Sequence, residues 1–209
     1  DKLAENLKEL GIKKDEVVLL SLPSMPEVSM LLLALNKIGA ISKWIDLRVK
    51  EDDLRHYINE HESRHVIIFD ILSKQMKNII DDTDVEKVVV VSPVESLGPL
   101  PKTLYNLKET MNKDENVFKD KRFIKYSDFF KKKSKIEVTP ISYEKERPSL
   151  IIQSSGTRGK AKSIIHTDYG VNSSVRKFSS MDLPLSVGNR MLVVVPTWIG
   201  YGLVNSYYL

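Results

Sequence analysis

The residues best suited to chemistry stand in one run, Leu150-Ile151-Ile152-Gln153-Ser154-Ser155-Gly156-Thr157-Arg158-Gly159-Lys160-Ala161-Lys162-Ser163-Ile164-Ile165-His166-Thr167. An apolar strand feeds a loop with three hydroxyl side chains, two glycines, one arginine and two lysines, and a second apolar strand leaves it. Phosphate oxygens suit this composition. Glycines let backbone N–H groups turn toward an anion, hydroxyls donate further hydrogen bonds, and lysine or arginine supplies the compensating charge. It is not a Walker loop, because the interval from Gly156 to Gly159 is too short and the exit reads as strand rather than helix. Composition alone fits a polar hairpin turn equally well, with glycine and serine serving geometry and the lysines solvated.

The rest of the composition narrows the choice. The 209 residues contain no cysteine, which excludes a disulfide framework, a zinc-thiolate site and a thiol nucleophile. Of the four histidines, His56, His61 and His65 fall at ordinary helix or strand-edge positions and read as structural, while His166 adjoins the loop. The net charge is only +4. Between Lys102 and Lys135 there are 11 basic residues against 5 acidic ones, a run that reads as a solvated face. Its aromatic residues read as anchors to a core rather than as stacking platforms, so no nucleic-acid partner is expected. No apolar run approaches the roughly 18 residues of a membrane span and no secretory pattern opens the chain, so a cytoplasmic protein is expected.

Elements that must position the loop are legible upstream. Leu3, Leu7 and Leu10 recur at helical spacing before Gly11, which predicts a helix over 2–10. Val17 to Leu22 reads as a buried strand. Ser24-Met25-Pro26-Glu27 has the pattern of a capping box ahead of a helix ending at Gly39. Ala40 to Ile45, His65 to Phe69 and Val85 to Val91 read as strands, with helices over 50–62 and 72–80 between them. Residues 93 to 122 read as a surface excursion, and Tyr126 to Phe130 as a helical turn. The rhythm resumes with strands at Leu150 to Gln153 and Ser163 to His166, a helix from Asp168 to about Ser180, and a strand at Met191 to Val195. The predicted class is α/β, a mainly parallel sheet flanked by helices.

The loop resembles the phosphate-binding signature of the adenylate-forming (AMP-binding) superfamily, which includes acyl-CoA synthetases, the adenylation domains of peptide synthetases and luciferases. Their pattern is close to Ser/Thr-Ser-Gly-Thr-Thr-Gly-x-Pro-Lys-Gly. Ser154, Ser155, Gly156, Thr157, Gly159 and Lys162 match it. Arg158 replaces the usual hydroxyl residue, Ala161 the proline and Ser163 the glycine. Upstream, Leu10 to Leu20 is similar to "LGVKKGDVVALL", Leu35 to Ala40 to "LKAGA", and Arg48 to Ile58 to the helix that follows. Downstream, His166-Thr167-Asp168 sits where many members read His-Thr-His, with Asp168 expected at a helix N-cap. Val195 to Gly202 resembles the "P-x-F-H-x-x-G" segment beside the acyl pocket, with Ile199 at the frequent histidine.

This resemblance implies an acyl-CoA synthetase-like ligase. A carboxylate attacks the α-phosphorus of ATP, pyrophosphate leaves, and the acyl-adenylate reacts with a thiol, in the first instance that of coenzyme A, with Mg²⁺ bridging phosphates. It assigns Ser154, Ser155, Gly156, Thr157, Gly159 and Lys162 to the β- and γ-phosphates; Arg158, which departs from the pattern, either adds a further phosphate contact or pairs with a neighbouring acid and marks a degenerate site, and Trp198 and Gly200 either line the acyl pocket or belong to the core; no metal ligand is assigned. It also implies an N-terminal part of a longer enzyme: first βαβ units over 1–92, a variable excursion over 93–147 and the loop segment over 148–209. The catalytic lysine and C-terminal domain are expected downstream of Leu209, the rest of the chain packing on this end, and residues 1–209 alone are not expected to complete adenylation. Two alternatives stand beside this reading, a non-catalytic phosphate- or nucleotide-binding module and an adenylation domain serving a carrier protein.

Overall fold

A computed structural model describes residues 1–95, 115–154, 161–181 and 188–208. Its elements run α1 (Lys2–Glu9), β1 (Val17–Ser21), α2 (Pro26–Ile38), β2 (Ile41–Trp44), α3 (Glu51–Asn59), β3 (His65–Phe69), α4 (Ser73–Ile79), β4 (Lys87–Val91), β5 (Phe123–Lys125), α5 (Tyr126–Lys131), β6 (Pro148–Gln153), β7 (Ser163–Thr167), α6 (Asp168–Ser179) and α7 (Gly200–Tyr207). One sheet has the order β5-β4-β3-β1-β2-β6-β7. Every pairing is parallel except β6 with β7, which is antiparallel.

Helices cover both faces, which is why the central strands are continuous apolar runs rather than alternating ones. Successive residues go to opposite cores. Val18, Leu20, Ile67, Val89, Val91, Leu150 and Ile152 join Leu3, Leu7, Leu31, Leu35, Val171 and Leu203 on one side. Leu19, Val66, Ile68, Val88 and Val90 join Leu54, Ile58, Met76 and Ile79 on the other.

Several local expectations are corrected. The capping box at Ser24 does not form: Met25 is the N-cap of α2, and no side chain caps it. Pro26 starts this helix with its φ preset and no N–H to satisfy. Residues 191–195 are not a strand. They have no ladder partner among the described residues, and Leu192 and Val194 are 85% and 73% exposed. Conversely, the stretch after residue 122 supplies a strand the sequence did not suggest, β5, which pairs with β4, and Val117 of the excursion is buried. Phe123, Tyr126 and Phe129 are buried as anchors, as expected, with α5 at the expected helical turn. An ionic knot holds this edge. Asp120 accepts from Arg122 Nη2 at 2.7 Å and from Lys77 Nζ at 2.9 Å, and Arg122 reaches Asp81 at 2.6 Å. The Arg122 guanidinium keeps the Asp120 carboxyl well below the usual carboxylate range.

Of the three upstream histidines, His65 takes a clearly structural place, whereas His56 is exposed on α3. His65 is buried and bridges the Glu16 carboxylate and the Leu10 carbonyl, tying α1 to β1 and β3. Turn geometry shows a stored cost past α3. Glu62, exposed just past α3, has φ 49°, while Ser63 N–H donates to Ile58 C=O at 3.0 Å behind it. Left-handed backbone at a helix end favours glycine, and an L-side chain there costs about 1 to 2 kcal/mol. Glycine loses more chain entropy on folding, by roughly 0.5 to 1 kcal/mol. Glu62→Gly is therefore expected to stabilise the protein by about 0.5 to 1 kcal/mol, read as a higher midpoint in urea with unchanged m.

Candidate functional site

The glycine-rich loop leaves the carboxyl end of β6, where Ile152 lies level with Trp44 of β2, itself level with Leu20 of β1. In open parallel sheets this is the edge where ligands bind. Two bonds close the loop at its base. Ser154 N–H donates to the Lys162 carbonyl at 2.8 Å, and Lys162 N–H donates to Ser154 Oγ at 2.8 Å. The Ser154 hydroxyl is thus an acceptor inside the protein, which leaves its proton available to an anion. Lys162 is exposed and has no ion pair with an acid among the described residues. Ser155, Gly156, Thr157, Arg158 and Gly159 lie outside the described residues.

The exit is strand β7, as its β-branched composition predicts. Arginine 147 and Asp168 close the other end of the same hairpin. Arg147 immediately precedes β6 and Asp168 immediately follows β7; Arg147 Nε and Nη2 donate to the Asp168 carboxylate at 3.1 and 2.8 Å. Asp168 is therefore not an N-cap. The N-cap of α6 is Thr167, whose Oγ1 accepts from Gly170 N–H at 3.2 Å, and the Asp168 side chain is turned inward and buried. His166 is half-buried, and burial pushes its imidazole below the usual range, so it is neutral at pH 7.

Segment 196–204 lies against the same edge. Thr197 is fully buried, and its Oγ1 donates to the Leu22 carbonyl just past β1 at 2.5 Å. Ile199 precedes α7, a helix that the glycines of Gly200-Tyr201-Gly202 hide from a propensity reading. A Cβ on Gly202 would lie 2.4 Å from the Pro196 carbonyl oxygen, so only glycine lets the chain fold back there. A Cβ on Gly200 would meet Ile152 Cδ1 at 3.4 Å, which puts Gly200 beside the last turn of β6. Trp198, half-buried, stands between Thr197 and Gly200.

Beside the loop lies a polar cluster that the sequence did not single out. Lys43 is fully buried on β2, and its ammonium donates to Glu60 Oε2 at 2.6 Å and to the Tyr57 carbonyl at 3.0 Å. Burial holds the Lys43 ammonium below the usual lysine range despite Glu60. Burial also raises Glu60, but Lys43 and Ser163 outweigh it and hold that carboxyl below its ordinary value. A lysine in a strand covered on both faces was the available signal. By contrast, a cleft lined by Ile58, Asn59, Glu62, Ser63, Asp81, Asp82, Thr83 and Asp84 is rich in carboxylates, and their field opposes a polyanion. Among the described residues no cluster of histidine or acidic groups could hold a metal ion, and no helix is long and apolar enough to cross a membrane.

A mostly parallel sheet with a glycine- and hydroxyl-rich loop at its carboxyl edge has direct counterparts among known proteins. The family model described as AMP-binding enzyme matches residues 1–209, and the chain belongs to that family. Within it, the chain is similar to the acetyl-coenzyme A synthetase of Pyrobaculum aerophilum, 32% identical over 181 residues that cover 81% of this chain and 25% of the relative. It is also similar to the acetyl-coenzyme A synthetase of Yersinia pseudotuberculosis, 29% identical over 167 residues, 80% of this chain and 24% of the relative. The fold is shared with the crystal structure of an anthranilate CoA ligase in complex with anthranoyl-AMP, with a TM-score of 0.76 at 19% identity over 99% of this chain and 36% of that one. A long-chain-fatty-acid-CoA ligase from Archaeoglobus fulgidus gives a TM-score of 0.74 at 21% identity over 98% of this chain and 35% of that one. The chain thus spans about a quarter of the length of the curated relatives it matches.

Proposed function

We propose that the full-length protein is a cytoplasmic AMP-forming ligase that joins a carboxylic acid to coenzyme A. One observation carries this reading: a phosphate-type loop at the carboxyl end of β6, its base closed by the Ser154–Lys162 pair, in a chain of the AMP-binding family. The carboxylate oxygen attacks the α-phosphorus of ATP, the bond to the bridging oxygen breaks, and pyrophosphate leaves with that electron pair. The thiol sulfur of coenzyme A then attacks the acyl carbon, and AMP departs.

An anion must approach a polyanion, so the demand on the protein is electrostatic. Ser154, Ser155, Thr157 and the backbone at Gly156 and Gly159 donate to the β- and γ-phosphates. Lys162 and Arg158 supply positive charge there. Trp198 and Gly200 border the acyl group. Mg²⁺ enters as part of the nucleotide substrate. The remainder of the same chain packs over β7, α6 and α7, a reading supported by the exposure of Ile164, Ile165, Tyr169 and Tyr201 there.

The test is carboxylate-dependent exchange of label between pyrophosphate and ATP by the full-length protein, starting with acetate and extending to aromatic and longer acids. Exchange that requires a carboxylate, followed by AMP release on adding coenzyme A, is the expected result. ATP binding without exchange across that panel would replace the ligase with a nucleotide-binding module.

A further inference from the structure

Ser163, the first residue of β7, makes more hydrogen bonds than a strand position requires. Its hydroxyl donates to the Glu60 carboxylate, with Oε1 and Oε2 at 3.0 and 2.9 Å. It accepts from Gln153 Nε2 at 3.0 Å and lies 3.4 Å from His61 Nε2. Its one proton and one lone pair are then used. Gln153 directly precedes Ser154, and Ser163 directly follows Lys162. Both arms of the Ser154–Lys162 pair are therefore held through one hydroxyl.

Behind that hydroxyl stands a buried charge. Lys43 is 0% exposed, and its ammonium is held by Glu60, by the Tyr57 carbonyl and over the Tyr57 ring at 5.1 Å from the centroid. Removing the Lys43 charge from water is expensive even with the partly exposed Glu60 beside it, and an apolar residue of similar volume would fill that place in β2 at lower cost. What an apolar residue cannot do is pair with an ionised acceptor for Ser163 at the edge of the sheet. The signature that the loop resembles has glycine where Ser163 stands, so the hydroxyl of this link is a departure from that pattern.

We propose that Ser163 and Glu60, backed by Lys43, are positioning residues. They hold the Ser154–Lys162 pair in register so that the Ser154 hydroxyl and the Lys162 ammonium meet the oxygens of a nucleotide polyphosphate. This rests on the ligase reading for its substrate, but the link itself is measurable without it.

The experiment compares wild type, Ser163→Ala, Ser163→Thr and Glu60→Gln in the full chain. Glu60→Gln keeps the shape but leaves the buried Lys43 ammonium without its counter-ion, so it is read beside Ser163→Ala and Ser163→Thr, which leave that pair intact. Ser163→Ala is expected to speed amide exchange at Ser154 and Lys162 about tenfold and to raise the KM for MgATP about tenfold, the scale of one lost hydrogen bond to a charged group. The KM for the carboxylate stays within about twofold. Glu60→Gln moves exchange and the MgATP KM in the same direction, and Ser163→Thr, which keeps the hydroxyl, restores both.

Unchanged exchange in Ser163→Ala, an unchanged MgATP KM, equal rises in both KM values, or failure of threonine to rescue would each overturn the proposal. If wild type turns over no ATP with any carboxylate, the ligase reading falls and a MgATP titration decides for positioning. About tenfold weaker binding by Ser163→Ala sustains it; equal affinity, or no binding by wild type, overturns it.

Discussion

Arg147→Leu is expected to cost the protein about 3 to 5 kcal/mol of stability, the largest loss from any single substitution considered. The Arg147 side chain is 3% exposed and faces an Asp168 side chain that is 8% exposed. Its remaining donors are used as well: Nη2 to Asn36 Oδ1 at 2.8 Å, and Nη1 to the carbonyls of Gly39 and Pro148 at 3.2 and 3.3 Å. One guanidinium therefore gathers the end of α2, the start of β6 and the start of α6. Leucine fills part of the volume and leaves a buried carboxylate without its partner, which is the costly half of breaking a buried pair. Lysine is not a conservative replacement, because a point charge cannot reach five acceptors from one plane.

Urea unfolding measures the loss. A drop under about 1 kcal/mol, the scale of an exposed pair, would show that the pair is not buried in solution. Asp168→Asn in the Arg147→Leu background removes the stranded charge. The double variant should be less destabilised than the sum of the two single changes, by more than the roughly 0.5 kcal/mol that independent sites show.

The second large effect is on rate. In the full-length protein, Lys162→Ala is expected to lower carboxylate-dependent pyrophosphate exchange by about 10² to 10³, the scale of losing one preorganised contact to developing charge. Lys162 is exposed and unpaired with any acid among the described residues, so its charge is not already neutralised within the protein. For the same reason its removal should leave the urea midpoint nearly unchanged. Lys162→Arg keeps the charge and should keep part of the rate. A Lys162→Ala protein with wild-type exchange would remove this residue from the phosphate site. The two variants thus separate two proposed roles, that of Arg147 in holding the hairpin and that of Lys162 in the phosphate chemistry it would serve.

How far the sequence carried this depends on the range of the interactions involved. The central strands were legible because burial on both faces writes itself as uninterrupted β-branched runs, as in Val88 to Val91. The loop was legible because its hydroxyls, glycines and cations are consecutive. Arg147 was not, since its partners lie 21, 108 and 111 residues away and it sits among the charges of Glu144-Lys145-Glu146. Strand β5 is three residues within a basic run, made a strand by its neighbour β4 rather than by its own composition. Residues 191–195 show the converse, an apolar β-branched run without a ladder to join. At Thr167 and Asp168 both types can cap a helix, and the deep pairing of Asp168 with Arg147 leaves the hydroxyl to do it.

The antiparallel turn taken by β7 has a consequence beyond catalysis. Among the described residues it ends the sheet with a strand that has no ladder neighbour along one side, while Ile164 and Ile165 are 46% and 56% exposed. Bare edges of this kind are templates for intermolecular strand addition. Any segment that covered β7 would therefore also guard the protein against strand-to-strand self-association.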